Sequence, residues 1–482
     1  MKTSPLVVGS HVETALFGEH RTKTAIYSAI AIALSLNSSL VHAATPTCAY
    51  PGCNSVTSDS VDNTAMGTDA LSSTASQTGP FTNGANTAAG SHALQNNTAG
   101  TDNSAFGAYA LTNNTSNSSN TAVGSYAMQM NVGGEDNVAV GSSTLQANTS
   151  GSFNAVVGAG ALLENTLGSN NTAAGFESLL RNTTGSNNVA IGYSTLSYST
   201  TASGNTAVGY SALLQSLTGA DNSAFGDGAL QFNTEGQQNT ASGAFTLYSN
   251  TTGSYNTASG FESLYAATTA AGNTSVGYRS QYSTTSGAGN TSVGETALVS
   301  NKTGELNTVV GQNALYMNTS GSRNIAIGAS AGYAVSGSNN IDIGSNGSAG
   351  ESGVIRIGSA SQSAVYLAGV TASHISGSPV YVSSNGQLGV LASSERYKTA
   401  VAPLEDLSGK LQELRPVSYR LKNDPASGVQ YGLIAEEVNK VLPDLVIRDA
   451  QGTIQGVRYD ELTPMLLGEV RAQQDQLRKQ GN

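Results

Sequence analysis

The chain of 482 residues carries 56 glycines, no tryptophan, 6% aromatic and 11% charged side chains, and a net charge of -11. So few large apolar groups exclude a conventional globular core in proportion to the length, and scattered acidic residues without a basic patch argue against a nucleic-acid partner. Charge is unevenly placed: residues 393–482 hold 13 acidic and 12 basic side chains, 25 of the 51 in the chain, so an ordinarily charged domain follows an almost uncharged one.

Residues 1–43 read as a signal peptide. Arg21 and Lys23 precede an apolar run at 25–36, and Val41-His42-Ala43 supplies a cleavage site. The run is too short to span a bilayer comfortably, so no stable membrane span is expected in the mature chain; the alternative is a short anchor that is never removed. Residues 44–85 form an N-terminal segment with a degenerate repeat from Asn63. Cys48 and Cys53 flank Pro51-Gly52 and are candidates for a small disulfide loop in an oxidising compartment. No further Cys or His stands near them, and His11, His20, His42, His92 and His374 show no ligand spacing, so no metal or cofactor is expected.

Residues 86–344 repeat with a period of 17. Asn86, Asn103, Asn120 and their successors to Asn324 fill one column without a slip, with a glycine four places after each and a shortened copy at Asn340. An array of this period predicts a solenoid. Thr-Ala-Val-Gly alternates faces and Asn-Thr-x-Gly supplies a turn, so each coil is expected to hold two short strands, with the Ala column (Ala88, Ala105, Ala122) and the Leu column (Leu94, Leu111, Leu162, Leu213, Leu315) inside. At about 4.8 Å per coil, roughly 16 coils make a rod of about 75 Å. The Thr column is broken by Val138, Ala155, Val189 and Ile325, which argues against an ice-binding face. No carboxylate pair recurs, which argues against glycan cleavage by the array. These repeats resemble the heads of trimeric autotransporter adhesins, which implies a parallel β-roll whose three copies pack side by side; the membrane β-barrel segment that closes those adhesins has no counterpart in this sequence.

Residues 345–392 read as a β-rich neck, with a hairpin turning at Ser384-Asn385-Gly386-Gln387. Then comes Ser393-Ser394-Glu395-Arg396-Tyr397-Lys398. A hydroxyl five residues before a lysine is compatible with a Ser/Lys pair, in which a neutral amine serves as general base, although alone that spacing carries little. A helix around 404–414, a strand at 417–420, a segment at 431–438, a hairpin over 447–459 and an amphipathic helix over 460–480 follow. Leu466, Val470, Gln473 and Leu477 keep a 4-3-4 spacing suited to a coiled coil, or else to packing on their own domain.

The order Ser-Ser-Glu-Arg-Tyr-Lys-Thr, then Tyr-Gly-Leu-Ile-Ala-Glu-Glu-Val, then Tyr459-Asp460-Glu461-Leu462 and a terminal helix resembles the intramolecular chaperone domain of endosialidases and other phage tailspikes, over 393–482 almost whole. The resemblance implies that this domain drives trimerisation of the fibre before it and then releases itself. It gives Ser393 the role of nucleophile, Lys398 that of base, and places the cut between Ala392 and Ser393. The family often has Asp after the nucleophile, where this chain has Ser394, so the cut is assigned to within one residue.

The expected fold is therefore mainly β: a parallel β-roll or β-solenoid of 17-residue repeats forming a trimeric fibre, then a small α+β chaperone domain ending in a coiled-coil helix. The expected function is an exported, adhesin-like homotrimeric fibre, secreted or at the cell surface, with a chaperone that acts once as a serine endopeptidase on its own chain. A host-surface or glycan ligand would suit the rod. The alternatives are a phage-derived, virion-associated tail fibre with a non-cleaving trimerisation tail, and a glycan-binding or glycan-degrading tailspike.

Overall fold

A computed structural model of the protein describes residues 57–58, 62–73, 84–362, 364–367, 379–383, 386–404, 407–422, 424, 426, 428–449 and 451–481. The expected signal peptide, Cys48 and Cys53 lie outside the described residues. The chain divides into two compact units, Met1–Ala364 and Val365–Asn482.

In the first unit every repeat makes one coil of a β-solenoid. The residues after each Asn form a three-residue strand, as at Thr121–Val123 and Thr206–Val208. Each strand pairs in parallel with its equivalent in the next coil, so that Ala105, Ala122 and Ala139 stand in one row. Among the described residues this gives a single 19-stranded sheet, parallel from Thr64–Met66 to Ile355–Ile357, with Thr57–Ser58 added antiparallel at one edge. Period-two alternation turns only the middle residue of each strand inward, and Ala88, Ala105 and Ala122 are fully buried there. Leu94, Leu111, Leu162 and Leu213 close the same core from the other side, and Leu315 lies in a second apolar cluster further along the stack, each burial stabilising by about 2 kcal/mol.

The coil holds one strand, where the sequence pattern predicts two. Its leucine half is a turn, with φ of +60° at Tyr109 and +53° at Leu111, a left-handed region that a strand does not contain. Hydrogen bonds between coils nevertheless continue around it: the Leu111 N–H donates to the Ala127 carbonyl (3.0 Å) and the Tyr109 N–H to the Ser91 carbonyl (2.8 Å). A left-handed non-glycine residue costs roughly 1–2 kcal/mol, which the buried leucine side chain offsets.

Two asparagine ladders hold the coils in register. The Asn103 backbone N–H and Nδ2 both donate to Asn86 Oδ1 (3.0 and 3.1 Å), and Nδ2 also donates to the Asn117 carbonyl (2.9 Å). The column eleven places after the first Asn repeats the device: Asn148 Nδ2 donates to Asn131 Oδ1 (2.7 Å) and to the Gly151 carbonyl (2.9 Å). The glycine column is required by two conditions at once. At Gly124, φ is +139°, and a Cβ there would lie 2.3 Å from the Gly141 carbonyl oxygen of the adjoining coil.

The last coils depart from this pattern. Asp342 takes the inward middle position of Ile341–Ile343, paired with Ala326 on one side and Arg356 on the other. It is buried, its Oδ1 has no hydrogen-bond partner among the described residues, and burial reinforced by the Glu351 charge pushes its carboxyl up to about 6. Glu351 itself pairs with Arg356 at 2.8 Å, and that hydrogen bond holds its carboxyl below the usual range.

Of the residues read as a neck, Ile355–Ile357 is the final strand of the solenoid sheet, while Tyr381–Val382 pairs antiparallel with Leu388–Gly389 in the second unit. That hairpin is tied by the Ser383 N–H donating to the Gln387 carbonyl (2.9 Å) and the Gln387 N–H donating to Ser383 Oγ (3.0 Å). The rest of the second unit is α+β. Helix Ser408–Glu413 leads to a hairpin of Val417–Tyr419 with Gln430–Gly432. Helix Ala435–Val441 and the 3-10 turn Pro443–Leu445 lead to a second hairpin, Val446–Arg448 with Ile454–Val457, and the helix Tyr459–Gln480 closes the unit. Val438, Leu442, Leu445, Val446 and Val457 form its core, with Leu411, Leu433, Leu462 and Met465 packed around them. Among the described residues no helix is long and apolar enough to cross a membrane.

Candidate self-cleavage site

Ser393 and Lys398 stand at the two ends of one short turn. Glu395–Tyr397 form a single 3-10 turn, in which the Tyr397 N–H donates to the Ser394 carbonyl and the Lys398 N–H to the Glu395 carbonyl, both at 3.0 Å. Extended backbone lies on either side, with φ/ψ of -68°/141° at Ser394 and -113°/144° at Lys398. The turn therefore folds the motif back by one step and leaves Ser393 and Lys398 flanking it.

Every residue from Ala392 to Lys398 is exposed. The Arg396 guanidinium lies over the Tyr397 ring at 4.7 Å, a contact the sequence pattern does not disclose. Among the described residues neither the Ser393 hydroxyl nor the Lys398 ammonium has a hydrogen-bond or ion-pair partner, so the two are adjacent in the chain and not joined as a dyad in the isolated chain. A proton relay needs them within hydrogen-bond reach, and among the described residues nothing buries the segment to fix that approach.

Behind the motif the domain joins its other signature segments directly. The Leu433 N–H donates to the Tyr459 hydroxyl at 2.8 Å, and a Cβ on Gly432 would meet that hydroxyl at 2.5 Å. The Tyr-Gly-Leu of the middle segment and the Tyr-Asp-Glu-Leu that opens the last helix are thus two halves of one contact. Arg415 pairs with Glu437 at 2.6 Å, holding that carboxyl below its usual range. Asp449 accepts the N–H groups of Gln451 and Thr453 and the Gln455 amide, which keeps its carboxyl low as well and closes the second hairpin. The helix Tyr459–Gln480 leaves Leu466, Val470 and Leu477 exposed along one seam.

Among the described residues no group of His, Cys, Asp and Glu is arranged to hold a metal ion.

The fold is a β-solenoid followed in the chain by a small α+β unit. Residues 393–447 match the model of a peptidase family described as chaperone of endosialidase, beginning at the serine that heads the motif. No curated protein and no solved structure matches the chain.

Proposed function

We propose that the protein is an exported, adhesin-like homotrimeric fibre whose domain 393–482 templates assembly and then releases itself. The observation that carries this reading is the position of Ser393: it is the first residue matched to the chaperone family and follows directly on the solenoid and its short connecting segment. The domain plan accompanying it is a signal peptide over 1–43, a segment over 44–85 in which Cys48 and Cys53 pair, head repeats over 86–344, a neck over 345–392, and the self-cleaving chaperone.

The chemistry balances without an outside substrate. Neutral Lys398 takes the Ser393 hydroxyl proton, and Oγ attacks the Ala392 carbonyl carbon. The bond from that carbon to the Ser393 nitrogen breaks as the nitrogen receives the proton from Lys398, leaving an ester between Ala392 and Ser393 Oγ. Water hydrolyses the ester, giving a carboxylate at Ala392 and a free amine at Ser393. The openness of the motif in the single chain supports a cut that waits for assembly, since packing of neighbouring copies would supply the burial and fixed approach that the isolated chain lacks.

Wild type should release a fragment of 393–482, identified by intact mass, while Ser393→Ala and Lys398→Ala each leave the chain whole. Release from both variants would refute the dyad. Intact trimers of uncut wild type would favour the non-cleaving tail.

A further inference from the structure

The outward face of the solenoid sheet carries no charge. Between 86 and 357 no charged residue occupies the first or third position of any strand. The few charges of these coils stand elsewhere: Glu177, Glu262, Arg279, Glu295 and Lys302 stand in turns, and Asp342 and Arg356 take middle positions. An ordinary solvated face would share in that scatter.

The face is most apolar at its C-terminal end. Preceding strands vary, from Thr240–Ser242, polar at both outward positions, to Val138–Val140, apolar at both, whereas all six outward positions of the last three strands are isoleucine: Ile325, Ile327, Ile341, Ile343, Ile355 and Ile357. Ile355 and Ile357 are 66% and 69% exposed, a degree of apolar exposure that marks a contact surface. Three residues wide and extending over the whole stack, the face measures about 10 Å by about 80 Å, or roughly 800 Å² per copy, which is one side of a stable protein interface.

We infer that this face is the contact between copies of the chain, and that it closes from its isoleucine end toward the N-terminus. The inference rests on the homotrimeric reading above and says which surface meets and in what order. A second copy is the fitting occupant because parallel copies set coil against coil, threonine beside threonine and isoleucine beside isoleucine, along the full face. Any other partner would have to reproduce the strand repeat of about 4.8 Å. The order follows from apolar density, since the isoleucine strands bury the most area per coil and precede directly the chain that leads to 393–482.

The test uses the full chain with Cys48→Ser and Cys53→Ser as background. Nitroxide labels on Val310→Cys, at a third strand position, should lie about 10–15 Å apart in the oligomer, and labels on Thr252→Cys, in an exposed turn, well beyond that. Ile343→Asp should abolish the oligomer in sedimentation. Val123→Asp should leave it formed, with faster hydrogen exchange confined to the N-terminal coils. Thr252→Glu should change nothing, because the preceding coil carries Glu235 at that place. Should Ile343→Asp fail to fold, the label pair decides. An oligomer with distant Val310 labels overturns this face while leaving the homotrimeric reading intact; a wild type that sediments as single chains overturns both. Equal opening at both ends in Val123→Asp refutes the order of closure.

Discussion

Asp342 sits in a column that in every preceding coil holds Ala, Ser or Val, and its carboxyl is raised to about 6, first by burial and then by the Glu351 charge. A carboxyl with a folded value above its unfolded one makes the native state the better proton binder. Its stabilising contribution is complete below about pH 4 and is lost as pH rises through about 6. Glu351, whose carboxyl is lowered by Arg356, acts in the opposite sense and only at more acidic pH, so the window between about pH 5 and pH 8 reports Asp342. Asp342→Asn should slow hydrogen exchange in Ile325–Ile327 and Ile341–Ile343 several-fold at about pH 8 and leave it nearly unchanged at about pH 4; a gain of equal size at both would exclude the carboxyl charge as the cause. The glycine column yields a second expectation. Gly124→Ala meets both a φ of +139° and the Gly141 carbonyl, and should cost at least 1–3 kcal/mol in urea unfolding. Gly428→Ala, at φ +85° with open space around it, should cost about 1 kcal/mol.

At the scale of the coil, the second asparagine ladder explains which polar groups are left over. Asn182 Oδ1 and Asn250 Oδ1 have no hydrogen-bond partner among the described residues, and in each case the next coil breaks the column, with Ser199 and Ala267 respectively. A buried amide oxygen without a donor costs about 1–3 kcal/mol. Ser199→Asn should therefore restore the ladder that Asn165 and Asn182 follow, where Nδ2 donates at 2.7 Å, and raise the unfolding midpoint by about 1 kcal/mol equivalent. A destabilised variant would mean that the amide does not fit at Ser199. Much of this element was legible in the sequence, because Asn and Gly columns at a fixed period can only mean stacked equivalents. What the letters did not disclose was the leucine half. A left-handed leucine breaks the local preference that guides strand reading, and it is tolerated because Leu111 and its equivalents are buried in a column of their own kind. The segment that opens at Ser393 was legible through the order of its motifs, and residues 393–447 match the chaperone family there, whereas the spacing of Ser393 and Lys398 alone carries little and the two side chains are not joined in the single chain.

The two units pose different folding problems. The solenoid is built from contacts between coils 17 residues apart and, on the reading proposed above, from contacts between separate chains, whereas the domain over 393–482 has its own small core around Val438 and Leu445. Association between chains is concentration-dependent and slow beside local folding, so a template that gathers three copies accelerates a step the solenoid cannot accelerate for itself. The exposed seam of Leu466, Val470 and Leu477 is the surface suited to that gathering, since these residues stand outside the core that Leu462 and Met465 join. On the cleavage proposed above, the native fibre keeps its contacts but an unfolded chain has lost its means of registering with others, so stability becomes a matter of the unfolding rate. Fully cut fibre and uncut Lys398→Ala fibre should then show similar resistance to slow heating, but after denaturation and dilution only the uncut chains should return to trimers. Adding Val470→Asp and Leu477→Asp to the uncut chain should abolish that recovery without disturbing the core of the domain. Equal refolding of cut and uncut chains would show that the solenoid registers itself, and would remove the reason for a chaperone at this end of the molecule.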